Sequence, residues 1–257
     1  MLSINGEKIN VTMFPDKTSQ VWKIPEKFLD VYDLEIRWDF EHEAELIHML
    51  QLAYLLKAPS LYMPYLPYGR QDKVVSNDST FALIVLKHIL QNSFTRFFTI
   101  KSFDMHSSFN CEYIDNIEPY EVLKDVVKHF SPESICFPDK GAKNRYFPLQ
   151  FFDNIVLDKD RDQATGEILG LKHAEGDVDV RDVLIVDDLC DGGRTFIEAA
   201  KLLRSFGVKR IGLYVSHGLF SKGLDCLYEH IDTIYTTNSI CRKNPMNHPE
   251  KLYIYNV

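Results

Sequence analysis

Three aspartates and two glycines crowd the end of one apolar run. Residues 183 to 196 read VLIVDDLCDGGRTF. Asp187 and Asp188 close the run. Asp191, Gly192, Gly193, Arg194 and Thr195 then turn the chain into a helical pattern. Paired carboxylates at a strand end can accept hydrogen bonds from vicinal sugar hydroxyls, or carry a metal ion. Successive N–H groups in a glycine turn that opens a helix form a cradle for phosphate, and glycine lets the backbone approach closely. The plain alternative is a turn of solvated aspartates. The strand–turn–helix context favours the cradle.

Other polar turns also follow apolar runs. PYGRQDK carries Arg70, Gln71, Asp72 and Lys73. Its cations can meet phosphates, arginine in a bidentate way, although alone it reads as an exposed charged loop. FDMHSS places Asp104 and His106 two residues apart. Such a pair can share a Mg²⁺ shell, with histidine an unusual ligand for that ion. Asp139 follows another run and precedes Lys140 and Gly141. LDKDRDQATGE (157–167) is charged and poor in apolar residues, which predicts a mobile loop. Lys159 and Arg161 on such a loop can close over a transferring phosphoryl group. Taken alone, the same segment reads as a solvated hairpin.

The elements between these turns alternate in period. Asn5-Gly6 marks a hairpin. Residues 31–38, 60–66, 95–103, 134–138, 151–157, 183–188, 208–217 and 231–237 read as strands. Helical spacing runs over 40–57, 118–128 and the stretch ending at Gly207, and Asn77-Asp78-Ser79 predicts a cap for a helix over 79–91. Strands alternating with helices predict an α/β fold with mainly parallel sheets, ligands binding at the strands' carboxyl ends. The pattern occurs in two runs, so two similar lobes are expected, 1–117 and 118–257. The last residues are left open to return to the first lobe.

Composition narrows the class. Formal net charge is -8 in 257 residues, which argues against a general nucleic-acid binder. The five cysteines are dispersed, without metal-ligand spacing, and read as reduced thiols in a cytoplasmic setting. MLSINGEKIN offers no apolar leader core, and no run of 18 apolar residues suggests a membrane span.

In this order, the turns resemble those of the ribose-phosphate pyrophosphokinase (phosphoribosyl pyrophosphate synthetase) family. The resemblance covers about 60 to 240. MPYLPYGRQDK looks like the family's ATP-binding segment, SFDMHSSFN its metal motif, and FPDKGAKNR its Pro-Asp-x-Gly segment. LDKDR looks like its catalytic flexible loop. VLIVDDLCDGGRT resembles the ribose-phosphate motif shared with phosphoribosyltransferases, and SHGLFS and TTNSI match further stretches. Only the ribose-phosphate motif is widespread; its combination with the others is specific.

The resemblance implies two pseudo-symmetric phosphoribosyltransferase-like lobes of type I, Rossmann-like in build. It implies transfer of the β,γ-diphosphoryl group of ATP to the anomeric hydroxyl of ribose 5-phosphate, with Mg²⁺ as cofactor and a homo-oligomer as the assembly. By resemblance, Phe14, Asp16, Arg70, Gln71, Asp72, Asp104 and His106 belong to the ATP site. His106 and Asp139 belong to the metal and triphosphate environment. Lys159, Arg161 and His106 are the catalytic set. Asp187 and Asp188 hold the ribose hydroxyls, and Asp191 to Thr195 cradle the 5-phosphate.

Three departures stand out. The chain is some tens of residues shorter than the usual member. In FPDKTSQVWK, Phe14 and Asp16 fit the segment that reaches a neighbouring subunit's adenine, but Lys17 and Thr18 fall where Gly-Glu is usual. Arg194 falls where glycine is usual. It can add a phosphate contact, obstruct a monophosphate, or favour a larger 5-substituent such as ADP-ribose, the acceptor of some phage-encoded relatives. It can equally point to solvent. A phosphoribosyltransferase and a non-catalytic regulatory subunit are the competing readings.

Overall fold

The computed structural model describes residues 1–71, 76–105, 112–146, 148–149, 152–161, 168–241 and 250–257, side chains at 159–161 and 168–169 excepted. The chain divides into two compact units, Met1–Glu118 and Pro119–Val257.

The first unit begins with β1 (Leu2–Ile4) and β2 (Glu7–Lys8), an antiparallel pair around Asn5-Gly6. Both turn residues have positive φ, as a tight hairpin between twisted strands requires. A second hairpin follows, β3 (Val11–Met13) with β4 (Ser19–Val21). Then come β5 (Glu35–Trp38), α1 (Ala44–Leu55), β6 (Ser60–Met63), α2 (Ala82–Ser93), β7 (Ile100–Phe103) and β8 (Asp115–Ile117). The main sheet has the order β2-β1-β5-β6-β7-β8, parallel from β5 onward. Its core gathers Ile36, Trp38, Leu61 and Met63 of the strands with Met49 and Leu52 of α1 and Leu83, Leu86 and Leu90 of α2. Their helical spacings of three and four put each set on one face.

The second unit comprises α3 (Tyr120–Phe130), β9 (Ser134–Phe137), α4 (Lys140–Arg145), β10 (Asn154–Arg161), β11 (Ile168–Glu175), β12 (Asp182–Cys190), α5 (Arg194–Ser205), β13 (Arg210–Gly218), α6 (Asp225–Tyr228), β14 (Thr233–Thr237) and β15 (Leu252–Tyr255). The sheet order is β11-β10-β9-β12-β13-β14-β15, with only the β10–β11 pair antiparallel. β12 is therefore central and covered on both faces. Val183 and Ile185 lie in one core with Phe196, Ala199, Ala200 and Leu203 of α5. Leu184 and Val186 lie in another with Leu123, Val126 and Phe130 of α3. Two-sided burial is why β12 is apolar without alternation. Each such side chain stabilises the fold by about 1.5–3 kcal/mol.

Some expectations change. β10 runs on through Arg161 and pairs with β11, so Lys159 and Arg161 stand on strand backbone, opposite Leu171 and Ile168. The rest of the predicted loop, residues 162–167, lies outside the described residues. Sequence polarity misled because β10 leaves β9 after Val156; beyond it, among the described residues, only β11 pairs with it, and nothing there demands apolar residues. α2 starts at Ala82 without a side-chain cap, since Ser76 bonds Asp78 and Ser79 locally instead. The final strand, β15, pairs with β14 inside the second sheet and does not return to the first. No described helix is long and apolar enough to cross a membrane.

Candidate active site

The carboxyl end of β12 carries the densest chemistry. Asp188 is buried, at 8% exposure, and Asp187 is half-buried. The Asp188 N–H donates to Asp187 Oδ1 at 2.9 Å. Burial first, then the charge of Asp188, pushes the Asp187 carboxyl well above the ordinary carboxylate range. Asp139 pushes the same way, and Arg145 opposes it. The unit thus brings Asp187 and Asp188 together at the end of β12, with Asp139 close enough to act on Asp187. Such a cluster suits sugar hydroxyl donors or a divalent cation.

The turn after β12 is built for close approach. Gly193 has φ of +78°, and a Cβ there would stand 2.8 Å from Leu227 Cδ2. Only glycine takes that left-handed position without strain. α5 then begins with no side-chain cap, although Phe196 and Ile197 already donate back to the Gly193 carbonyl. Its leading N–H groups are those a phosphate can accept from, aided by the helix dipole. Thr195 is half-buried in this first turn, and Asp191 and Arg194 are exposed. Arg194 Nε donates to Glu198 Oε1 at 2.7 Å, one helical turn on.

Asp139 has a role the sequence did not suggest. It is the N-cap of α4, and its Oδ1 accepts from the Ala142 N–H at 3.0 Å. Arg145 ends the same short helix, which is how it reaches the carboxylates. Arg145 closes the FPDKGAKNR segment and Lys222 follows SHGLFS, but the sequence singles out neither as a site residue; the fold puts them here.

In the first unit, Asp104 follows β7 directly, buried and with φ of 44°. Its N–H donates to the Ile117 carbonyl, and Asn116 Oδ1 accepts from Met105 N–H. Arg70 and Gln71 are exposed and follow the neighbouring strand β6. The Gln71 carbonyl accepts from Leu83 N–H, tying this turn to α2. Phe14 and Asp16 sit in the β3–β4 turn, where Asp16 Oδ1 accepts from Thr18 N–H and Oγ1. Gln51 of α1 clamps that hairpin, accepting from Val21 N–H and donating to the Ser19 carbonyl. His48 adds a 2.7 Å contact to Ser19 Oγ. Asp72 and His106 lie outside the described residues, as do the side chains of Lys159 and Arg161.

No group of three or more His, Cys, Asp or Glu among the described residues is placed to hold a metal. Mg²⁺ nevertheless takes only one or two protein carboxylates when substrate phosphates complete its shell. Asp187, Asp188 and the second oxygen of Asp139 are hard donors of that kind.

A mainly parallel sheet with a carboxylate pair and glycine turn at the end of its central strand defines the phosphoribosyltransferase class. Residues 123–247 match the family described as Phosphoribosyl transferase domain. Over 255 residues, the chain is 28% identical to a ribose-phosphate pyrophosphokinase of Pyrococcus abyssi, covering 93% of this chain and 87% of that one. A ribose-phosphate pyrophosphokinase of Saccharolobus solfataricus is 26% identical, again over 93% of this chain and 87% of that one. In fold, the crystal structure of phosphoribosylpyrophosphate synthetase from Mycobacterium smegmatis matches with a TM-score of 0.76 and 20% identity, over 97% of this chain and 86% of that one. Over nearly its whole length the chain is thus similar to ribose-phosphate pyrophosphokinases.

Proposed function

We propose that this protein transfers the β,γ-diphosphoryl group of ATP to the anomeric hydroxyl of ribose 5-phosphate, giving AMP and phosphoribosyl pyrophosphate. The observation that carries the reading is the Asp187–Asp188 carboxylate pair beside the uncapped start of α5. Sugar hydroxyls bound there would donate to the carboxylates, and the 5-phosphate would accept from the first N–H groups of α5. Held at both ends, the ribose has its anomeric oxygen fixed for attack on the β-phosphorus, and positioning supplies much of the rate.

Mg²⁺, when bound by these aspartates and the triphosphate, would neutralise charge on the phosphates. Lys159 and Arg161 would oppose the charge that grows on the transferring group. Arg70, Gln71 and Asp104 would serve ATP, with Asp72, His106, Phe14 and Asp16. The names of its relatives support the reaction class, and nucleotide and acceptor are our assignments. Sharing of the adenine site between copies of the chain belongs to the same reading.

A substrate panel tests this. Purified protein receives ATP and Mg²⁺ with ribose 5-phosphate or with ADP-ribose, and AMP and product mass are followed. AMP with a phosphoribosyl pyrophosphate mass is the expected result for ribose 5-phosphate. AMP formed only with ADP-ribose would reassign the acceptor. Absence of AMP with both would overturn the diphosphotransferase reading and leave a phosphoribosyltransferase or a regulatory subunit.

A further inference from the structure

Gly192 has a cation beside it that belongs to a distant stretch of chain. A Cβ placed on Gly192 would touch Cδ and Cε of Lys222, each 3.4 Å away, and Cγ at 3.7 Å. The methylene stem of Lys222 therefore lies along the glycine turn. The residue is exposed. It makes no hydrogen bond or ion pair among the described residues, although Asp191 is close in sequence to its neighbour Gly192.

Its position is not a chance of a loose surface chain. The backbone before it is stitched to the turn by three hydrogen bonds. Leu219 and Phe220 N–H groups donate to the Cys190 carbonyl at 2.9 and 3.2 Å, and Ser221 N–H donates to the Asp191 carbonyl at 3.2 Å. The ring of Phe220 is fully buried and takes up the space that a side chain on Gly218 would need. Gly223 turns the chain back with φ of +84°, its N–H on the Phe220 carbonyl. Lys222 thus stands at the apex of a turn anchored to the β12–α5 connection.

Arg194 is the other cation at this turn, but its Nε is taken by Glu198. A phosphate approaching the first N–H groups of α5 would have near it a guanidinium already paired with Glu198 and the lysine whose stem lies along Gly192. A lysine ammonium is a compact point charge on a flexible stem, suited to follow a phosphate oxygen. We propose that Lys222 is the residue of this chain that selects for the charged 5-substituent of the sugar, its ammonium donating to the 5-phosphate oxygens. This inference rests on the proposed ribose-phosphate role of the β12–α5 turn.

The test is calorimetric binding of ribose 5-phosphate, without ATP, to wild-type protein and to Lys222→Ala, Lys222→Met and Lys222→Arg, beside steady-state kinetics. Removing a charge-assisted hydrogen bond should weaken binding about tenfold or more in the Ala and Met variants. KM for ribose 5-phosphate should rise by a similar factor while KM for ATP stays, and Lys222→Arg should restore most of the affinity. Met keeps the stem alongside Gly192, so equal weakening in Ala and Met assigns the effect to charge and not to packing. Wild-type affinity in both variants would overturn the role of Lys222 alone. A wild-type protein that neither binds ribose 5-phosphate nor forms AMP would overturn both this inference and the function on which it rests.

Discussion

Arg194 Nε sits 2.7 Å from Glu198 Oε1, an ion pair along the first turn of α5. The pair spans one helical turn and its arginine side chain is 78% exposed. The residue that the sequence offers as an extra phosphate ligand is instead engaged by its own helix. Exposed pairs of this spacing contribute about 0.3–0.5 kcal/mol. Arg194→Ala should therefore change thermal stability little, and should weaken ribose 5-phosphate binding less than about threefold. Parallel melting and calorimetry check this. A large drop in affinity would return Arg194 to the phosphate site.

Ionised Asp187 costs the fold stability. Its carboxyl binds a proton more tightly in the folded protein than in the unfolded chain, because burial and the Asp188 charge disfavour ionisation. Its contribution to stability is therefore fully present below the ordinary carboxylate value, about pH 4, and falls away as pH rises through the folded-state value. Asp187→Asn keeps an oxygen for the Asp188 N–H and removes the charge. Its Tm should exceed wild type at pH 8, by about 2–4 °C for each kcal/mol relieved, and the gain should vanish near pH 4. Ribose 5-phosphate use should fall sharply at the same time. Melts across pH with no such convergence would contradict the assignment.

Asp139 offers two roles that one pair of variants separates. As N-cap of α4 it accepts from Ala142 N–H, a task asparagine performs equally well; alanine there costs about 1 kcal/mol. Asp139→Asn should hold stability near wild type, and Asp139→Ala should be destabilised by about that amount. If the second oxygen also serves metal or triphosphate, activity should drop in both variants, with a raised Mg²⁺ requirement in the Asn variant. Full activity of Asp139→Asn would confine the residue to capping.

Lys159 and Arg161 stand on the β10 backbone. If they stabilise the transferring group, Lys159→Ala and Arg161→Ala should each cut kcat by at least about a hundredfold, the scale on which single charge-stabilising donors act. ATP affinity should move far less. Near-normal turnover in both would remove this strand from the mechanism.

Much of this is legible in one dimension. The apolar run into Asp187 and Asp188 reads as a strand buried on both faces, since alternation is absent and α5 and α3 each have an apolar stripe to cover it. The glycine pair before a helical pattern marks the turn, because few residues other than glycine take the φ of Gly193 readily. Order among the polar turns carries the family resemblance. The ribbon of β10 and β11 is legible only as the hairpin alternative for 157–167, because a two-stranded extension imposes no apolar code on its residues.

Charge balance is decided in three dimensions. Which cation faces which anion depends on contacts between residues far apart in sequence, or on a helix turning one side chain onto another. Arg194 could have met phosphate or solvent; the helical rise set Glu198 under it. Lys222 lies thirty residues from Gly192 in the chain, just past the SHGLFS stretch, and that stretch by itself does not say which turn the lysine faces. Parallel pairing of β12 with β13 brings their carboxyl ends level, and that register delivers the lysine to the turn.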